Sequence, residues 1–178
     1  MQMRCVVTDS AGQTVTFGIG AVKVIWDLQN SSDILSFGSK ERVSELNIGP
    51  TGMAGENAAL EMFLQNGFEL VARNYQTKYG EIDLIVKDKK YLVFAEVKTR
   101  TNASAMSGCY AVNHKKKQKL IKTFFVYLKT HHIDLQPRID VIDIRGHWTV
   151  LEEKECFIAD KLHWFKNAIT SNDYDGNW

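Results

Sequence analysis

The chain has 178 residues, 44% of them hydrophobic and 24% charged, and a formal net charge of +1. Those proportions suit one folded core and exclude a disordered, collagen-like or disulfide-framed chain. The three cysteines, Cys5, Cys109 and Cys156, are odd in number and lack any Cys-x-x-Cys spacing, which excludes a zinc ribbon and reads as free thiols. With no apolar run long enough for a bilayer and no basic-then-apolar leader, no membrane partner is expected and the cytoplasm is the expected location.

In chain order, residues 1 to 52 read as an N-terminal extension. Thr14-Val15-Thr16-Phe17 and residues 21 to 26 have strand character, residues 31 to 40 are polar and turn-like, and Gly49, Pro50 and Gly52 punctuate the chain ahead of Met53. A poorly ordered stretch, foreign to the native protein, or a small hairpin is expected there, since Met53-Ala54-Gly55-Glu56 would itself open a complete domain spanning 53 to 170. Residues 56 to 66 form a helix whose inner stripe is Glu56, Ala59, Leu60 and Phe63. Gly67 turns the chain into a strand over 68 to 75. An acidic strand, 81 to 86, is followed by the polar turn Lys87-Asp88-Lys89-Lys90 and a strand over 91 to 98. Alternation puts Phe94, Glu96 and Lys98 on one face of the latter and Val93, Ala95 and Val97 on the other. Both faces are largely apolar, the mark of a central strand. Residues 101 to 113 read as a loop on the substrate side, and 114 to 130 as a helix with an apolar face at Lys117, Leu120, Ile121, Phe124, Phe125 and Leu128. A strand over 138 to 144, a turn at Arg145-Gly146-His147, a strand over 148 to 151, a short helix over 159 to 169 and a frayed tail over 171 to 178 complete the expectation.

The chemistry concentrates between residues 80 and 100. A carboxylate and an ammonium two residues apart on an apolar strand cost several kcal/mol of desolvation unless something offsets it. Pairing about the turn near 88 to 90 brings Asp83 opposite residue 95 or 96, within cross-strand reach of Glu96. Glu56, on the inner helical stripe, faces the same sheet. At ~5 Å and an effective dielectric of ~20, each like-charge pair costs roughly 3 kcal/mol. Three such pairs rival the stability of a whole domain, about 5–15 kcal/mol. Lys98 cancels part of this, and a hard divalent cation, Mg²⁺ or Mn²⁺, complements an all-carboxylate set. The competing reading is a structural ion network with Lys98 and Arg100. Glu56 would then serve the helix dipole.

Glu81 is expected to support Asp83, and Gln118 to reach backbone or water near the acids. Residues 70 to 122 carry 12 Lys/Arg against 4 Asp/Glu, a local balance of +8. That suits a polyanion, with Arg73, Lys78, Arg100, Lys115, Lys116 and Lys119 as candidate phosphate contacts; the bland reading is a solvated face. Arg138 and Asp140 read as a structural pair, and Trp148 and Trp164 as core.

A helix glutamate (Glu56), a strand aspartate (Asp83) and, thirteen residues on, Glu96-Val97-Lys98 resemble the active-site signature of the PD-(D/E)xK nuclease superfamily. Gly55-Glu56, Arg73-Asn74-Tyr75, the run Gly80 to Ile85, the run Phe94 to Arg100, Arg138-Ile139-Asp140-Val141-Ile142 and His163 to Ala168 more closely resemble the YraN-like family of endonucleases. The resemblance covers residues 53 to 170. It implies an α/β, restriction-endonuclease-like core with a central mixed β-sheet flanked by helices, related to Holliday-junction resolvases. It further implies a Mg²⁺- or Mn²⁺-dependent nuclease acting on DNA, including branched intermediates, with Glu56, Asp83 and Glu96 as ligands and Lys98 as the fourth catalytic residue. A homodimer is implied only by analogy with resolvases. The alternatives are a non-catalytic nucleic-acid-binding accessory protein on the same scaffold, and a structural component whose acids brace the fold.

Overall fold

The strand over Tyr91–Arg100 runs through the middle of a mixed sheet, with a helix on each face. The computed structural model describes residues 3–8, 14–19, 23–24, 50–101, 112–151 and 154–176. Their elements are β1 (Met3–Thr8), β2 (Thr14–Ile19), β3 (Lys23–Val24), α1 (Pro50–Gln65), β4 (Glu69–Thr77), β5 (Gly80–Lys87), β6 (Tyr91–Arg100), α2 (His114–Thr130), β7 (Gln136–Leu151) and β8 (Lys154–Ile169). The sheet order is β2-β1-β8-β7-β6-β5-β4, with β3 also pairing β8. β6 and β7 are parallel, as are β1 and β8, and the other pairs are antiparallel. The five strands β4 to β8, with α1 and α2, make the α/β architecture that the sequence implied.

Alternation along the central strands builds two apolar layers. Val93, Ala95 and Val97 join Leu84, Ile142 and Ile144 under α1, which contributes Ala54, Ala58, Met62 and Phe63. Leu92 and Phe94 join Ile85 and Val141 under α2, which contributes Leu120, Ile121 and Tyr127. The β6 faces are thus as the pattern predicts. At β5 the alternation slips: Ile82 lies in the α2 layer but Leu84, two residues on, in the α1 layer. Asp83 sits at the slip.

Four expectations are corrected. α1 begins at Pro50, six residues early, because a proline is well placed in a first helical turn and Thr51 accepts the Trp148 indole N–H at 3.1 Å. Residues 159 to 169 are strand, not helix. Phe157, Ala159, Leu162 and Trp164 are buried at a spacing of two, interrupted once between Ala159 and Leu162. There the β7–β8 register steps from Arg145↔Lys161 to Gly146↔Ala159. Gly146 makes no turn: β7 runs through it, and a Cβ there would stand 2.3 Å from the Ile158 carbonyl oxygen. The described part of the tail, residues 171–176, is held rather than frayed, through a single 3-10 turn (Ser171–Asp173) whose Asp173 carboxylate accepts the Thr170 N–H at 2.9 Å.

Of the N-terminal extension, β1 and β2 form a hairpin added to the β8 edge, and Lys23–Val24 is the described part of the second expected strand. The polar stretch at 31 to 40 and residues 102 to 111 of the expected substrate-side loop lie outside the described residues.

Candidate active site

β5 and β6 pair from Lys87↔Leu92 up to Leu84↔Ala95, where the ladder ends. Asp83 comes directly after. Its Oδ2 accepts the Val97 backbone N–H at 2.7 Å, so a side chain takes over where the ladder stops. Burial, with the Glu96 charge adding to it, pushes Asp83 up to about 7, against the Val97 N–H and Lys116, which pull it down.

Glu96 is 1% exposed, on the central strand. Its Oε1 pairs with the Lys98 ammonium. Its buried Oε2 is held by an ion pair with Lys116 Nζ at 3.2 Å rather than by a hydrogen bond. Lys116 also lies 3.6 Å from Glu81 Oε1. Burial works to lower the Lys116 pKa, yet Glu96 and Asp83 outweigh it and hold the ammonium above its ordinary value.

Glu56 enters from α1. A Cβ on Gly55 would meet Thr99 Oγ1 at 1.7 Å, so the helix lies directly on β6 at this residue, and only glycine permits the approach. Glu56 is buried, which raises its pKa against the opposing pull of Arg73 and Asn74. Its Oε2 is 3.6 Å from Arg73 Nη2, whose other partner is Asn57 Oδ1 at 2.7 Å. The Glu56 carboxylate thus has a cationic partner of its own, while its charge still acts on Asp83. Among the described residues no group of three His, Cys, Asp or Glu stands close enough to hold a metal. Asp83 and Glu96 interact most strongly, and Glu56, which also faces Arg73, adds a smaller charge effect on Asp83. The Asp83–Glu96 pair fits a hard cation, since both donors are carboxylates, Glu96 Oε2 accepts no hydrogen bond and is held only by an ion pair, and Mg²⁺ is commonly held by one or two carboxylates plus water and phosphate.

The other candidate residues divide. Lys78, Lys115 and Lys119 are exposed. Arg100 is spent on Asp143, Nη1 to Oδ1 at 2.6 Å, and is 15% exposed. Gln118 is turned from the acids: it donates to the Asp173 carbonyl at 2.6 Å and accepts the Asp175 N–H at 3.3 Å. Asp140 is a structural hub, accepting from Arg138 Nε at 3.0 Å, the Trp164 indole at 2.8 Å and the Asn167 N–H at 2.8 Å.

Sequence reasoning had placed Lys116 among the outer phosphate contacts and missed its inward position. A signal was present, because residues 116, 120, 123 and 127 form one helical stripe, and Leu120, Thr123 and Tyr127 are its buried members. Lys116 also lines a cavity of about 360 Å³ with Gln76, Thr77, Gly80, Glu81 and Lys119.

A mixed sheet between two helices, with acids and lysines gathered where its central strands part, defines an α/β protein with a restriction-endonuclease-like core. The chain belongs to the YraN-like family: the family model described as "Uncharacterised protein family UPF0102" matches residues 55–144. It is similar to the UPF0102 protein of Legionella pneumophila subsp. pneumophila, at 39% identity over 120 residues, 66% of this chain and 92% of that protein. It is also similar to the UPF0102 protein of Caldanaerobacter subterraneus subsp. tengcongensis, at 35% over 103 residues, 57% of this chain and 84% of that one. A Clostridium botulinum UPF0102 protein is 39% identical over 95 residues, 52% of this chain and 77% of that one.

Proposed function

We propose that the protein is a metal-dependent nuclease that hydrolyses phosphodiester bonds in DNA, with Asp83 and Glu96 holding a Mg²⁺ or Mn²⁺ ion and Glu56 and Lys98 completing the site. The observation that carries this reading is the buried Glu96 carboxylate, ion-paired to two lysines and set beside a second buried carboxyl, Asp83, held near 7. Strands that only brace a fold gain nothing from such an arrangement, since apolar residues of equal volume would be as stable or more so. When bound, the cation lowers the pKa of a coordinated water and offsets charge on the phosphate. The Val97 N–H keeps the Asp83 carboxylate oriented. Lys98, 30% exposed, extends from Glu96 toward solvent, where its ammonium steadies the charge that accumulates on the scissile phosphate.

The rival reading, a DNA-binding protein that does not cut, draws on the Glu56–Arg73 pair, which gives that carboxylate a cationic partner of its own. Incubation with linear duplex, single-stranded and four-way-junction DNA in Mn²⁺ or Mg²⁺ separates the two. Cleavage of at least one substrate is expected, falling roughly 100-fold or more in Lys98→Ala at unchanged Tm. Binding to all three with no cleavage would establish the rival. Asp83→Ala should keep its fold and lose the Mn²⁺-linked rise in Tm; a variant that unfolds, beside a wild type indifferent to Mn²⁺, would make Asp83 a brace.

A further inference from the structure

Lys116 and a divalent cation have overlapping claims on one atom. The Lys116 ammonium stands 3.2 Å from Glu96 Oε2, the oxygen that lacks a directed hydrogen bond, while Lys98 holds the other oxygen of the same carboxylate. A dication bound to Oε2 would face an ammonium at a few ångströms, a repulsion on the order of several kcal/mol even at an effective dielectric of ~20. The two cannot both hold Oε2. Lys116 can withdraw. It sits in the first turn of α2, is only half-buried, lies 3.6 Å from Glu81 Oε1, and borders the cavity formed with Gln76, Thr77, Gly80, Glu81 and Lys119. That cavity adjoins the acids, and its other cation, Lys119, is exposed.

We propose that Lys116 is a positioning residue exchanged between two partners: it pairs with Glu96 until a divalent cation takes that oxygen, and then turns to a backbone phosphate of the DNA strand in the Gln76–Thr77–Lys119 cavity. The inference rests on the nuclease reading above and deepens it, because cation binding and DNA binding become positively linked through one side chain. A flexible four-carbon stem with a compact charge suits this movement, where an arginine's planar fork would lock onto the carboxylate. The linkage must be reciprocal: DNA that captures Lys116 raises cation affinity by the same factor as the cation raises DNA affinity.

The test measures Mn²⁺ binding by calorimetry, and duplex binding by fluorescence anisotropy in Ca²⁺ and in chelator, for wild type, Lys116→Met and Lys116→Arg. Lys116→Met should bind Mn²⁺ about tenfold more tightly, having lost the competitor, and Lys116→Arg no more tightly than wild type. The gain in duplex affinity that Ca²⁺ gives wild type should shrink several-fold in Lys116→Met. Melting curves of each variant show whether the fold survives the change, and Lys116→Gln replaces the methionine variant if it does not. Unchanged or weaker Mn²⁺ binding in Lys116→Met, or an undiminished Ca²⁺ gain, overturns the exchange while leaving the nuclease reading intact. A wild type that binds no Mn²⁺ at all overturns both.

Discussion

Between about pH 4 and 7 the Asp83 carboxyl keeps a proton in the folded chain that it has already lost in the unfolded one, since its pKa rises from 3.8 to about 7 on folding. Below that window both states are protonated. Across it the native state binds more protons, so the stability contributed by this group falls as pH rises and is lowest once both states are ionised. Burial of Glu56 and of Asp140 raises their pKa values too and acts in the same direction. We expect the Tm in chelator to fall from pH 5.5 to pH 8, and Asp83→Asn to flatten part of that slope. A cation bound by ionised Asp83 and Glu96 reverses the penalty, so Mn²⁺ should raise Tm more at pH 8 than at pH 5.5. Differential scanning at the two pH values, with and without Mn²⁺, checks both; a Tm rise that is equal or larger at pH 5.5 would deny Asp83 the role of ligand.

At the scale of elements, α1 is ended and positioned by glycines for different reasons. Gly67, at φ +79°, closes the helix with the Phe68 N–H bonded to the Phe63 carbonyl at 3.0 Å and its own N–H to that of Leu64 at 3.0 Å. Gly55 instead sets distance, with Thr99 Oγ1 in the place of its missing Cβ. Helix propensity alone favours Gly55→Ala by about 1 kcal/mol. Contact with β6 should reverse the sign, to a net loss of about 1–3 kcal/mol. Adding Thr99→Ala to Gly55→Ala should recover most of it, measured by urea denaturation; an additive double variant would mean that the helix does not rest on Thr99. Because Glu56 is the next residue, the same shift moves its carboxylate relative to Arg73 and Asp83.

For the whole molecule, the basic stretch from 70 to 122 is not one uniform patch. Lys115 and Lys119 are exposed, whereas Arg100 pairs with the buried Asp143. Lys115→Ala and Lys119→Ala should each lower the slope of log Kd against log salt for duplex binding by about 1 without changing Tm. Arg100→Ala should behave differently, lowering Tm because it removes the ion pair of a buried carboxylate. Equal Tm values for the three variants would remove that distinction. Among the described residues no helix is long and apolar enough to cross a membrane.

The central part of the fold was legible in the sequence because its signals are local. The two faces of β6, the turn at 87 to 90 and the juxtaposition of Asp83 with Glu96 arise from a period of two and a short hairpin, which neighbouring residues specify by themselves. β8 was not legible. Ala159, Leu162, His163 and Lys166 fit a helical spacing as well as a bulged strand, and only the sixteen residues of β7 beside them decide for the strand. Charges divided in the same way. The sequence by itself determined which acids and lysines stand on the central strands, since covalent spacing dictates it. Only the tertiary structure decided that Arg73 takes Glu56, that Arg100 takes Asp143, and that Lys116 reaches inward to Glu96. Ion pairing depends on distances between elements far apart in the chain, and packing sets those distances.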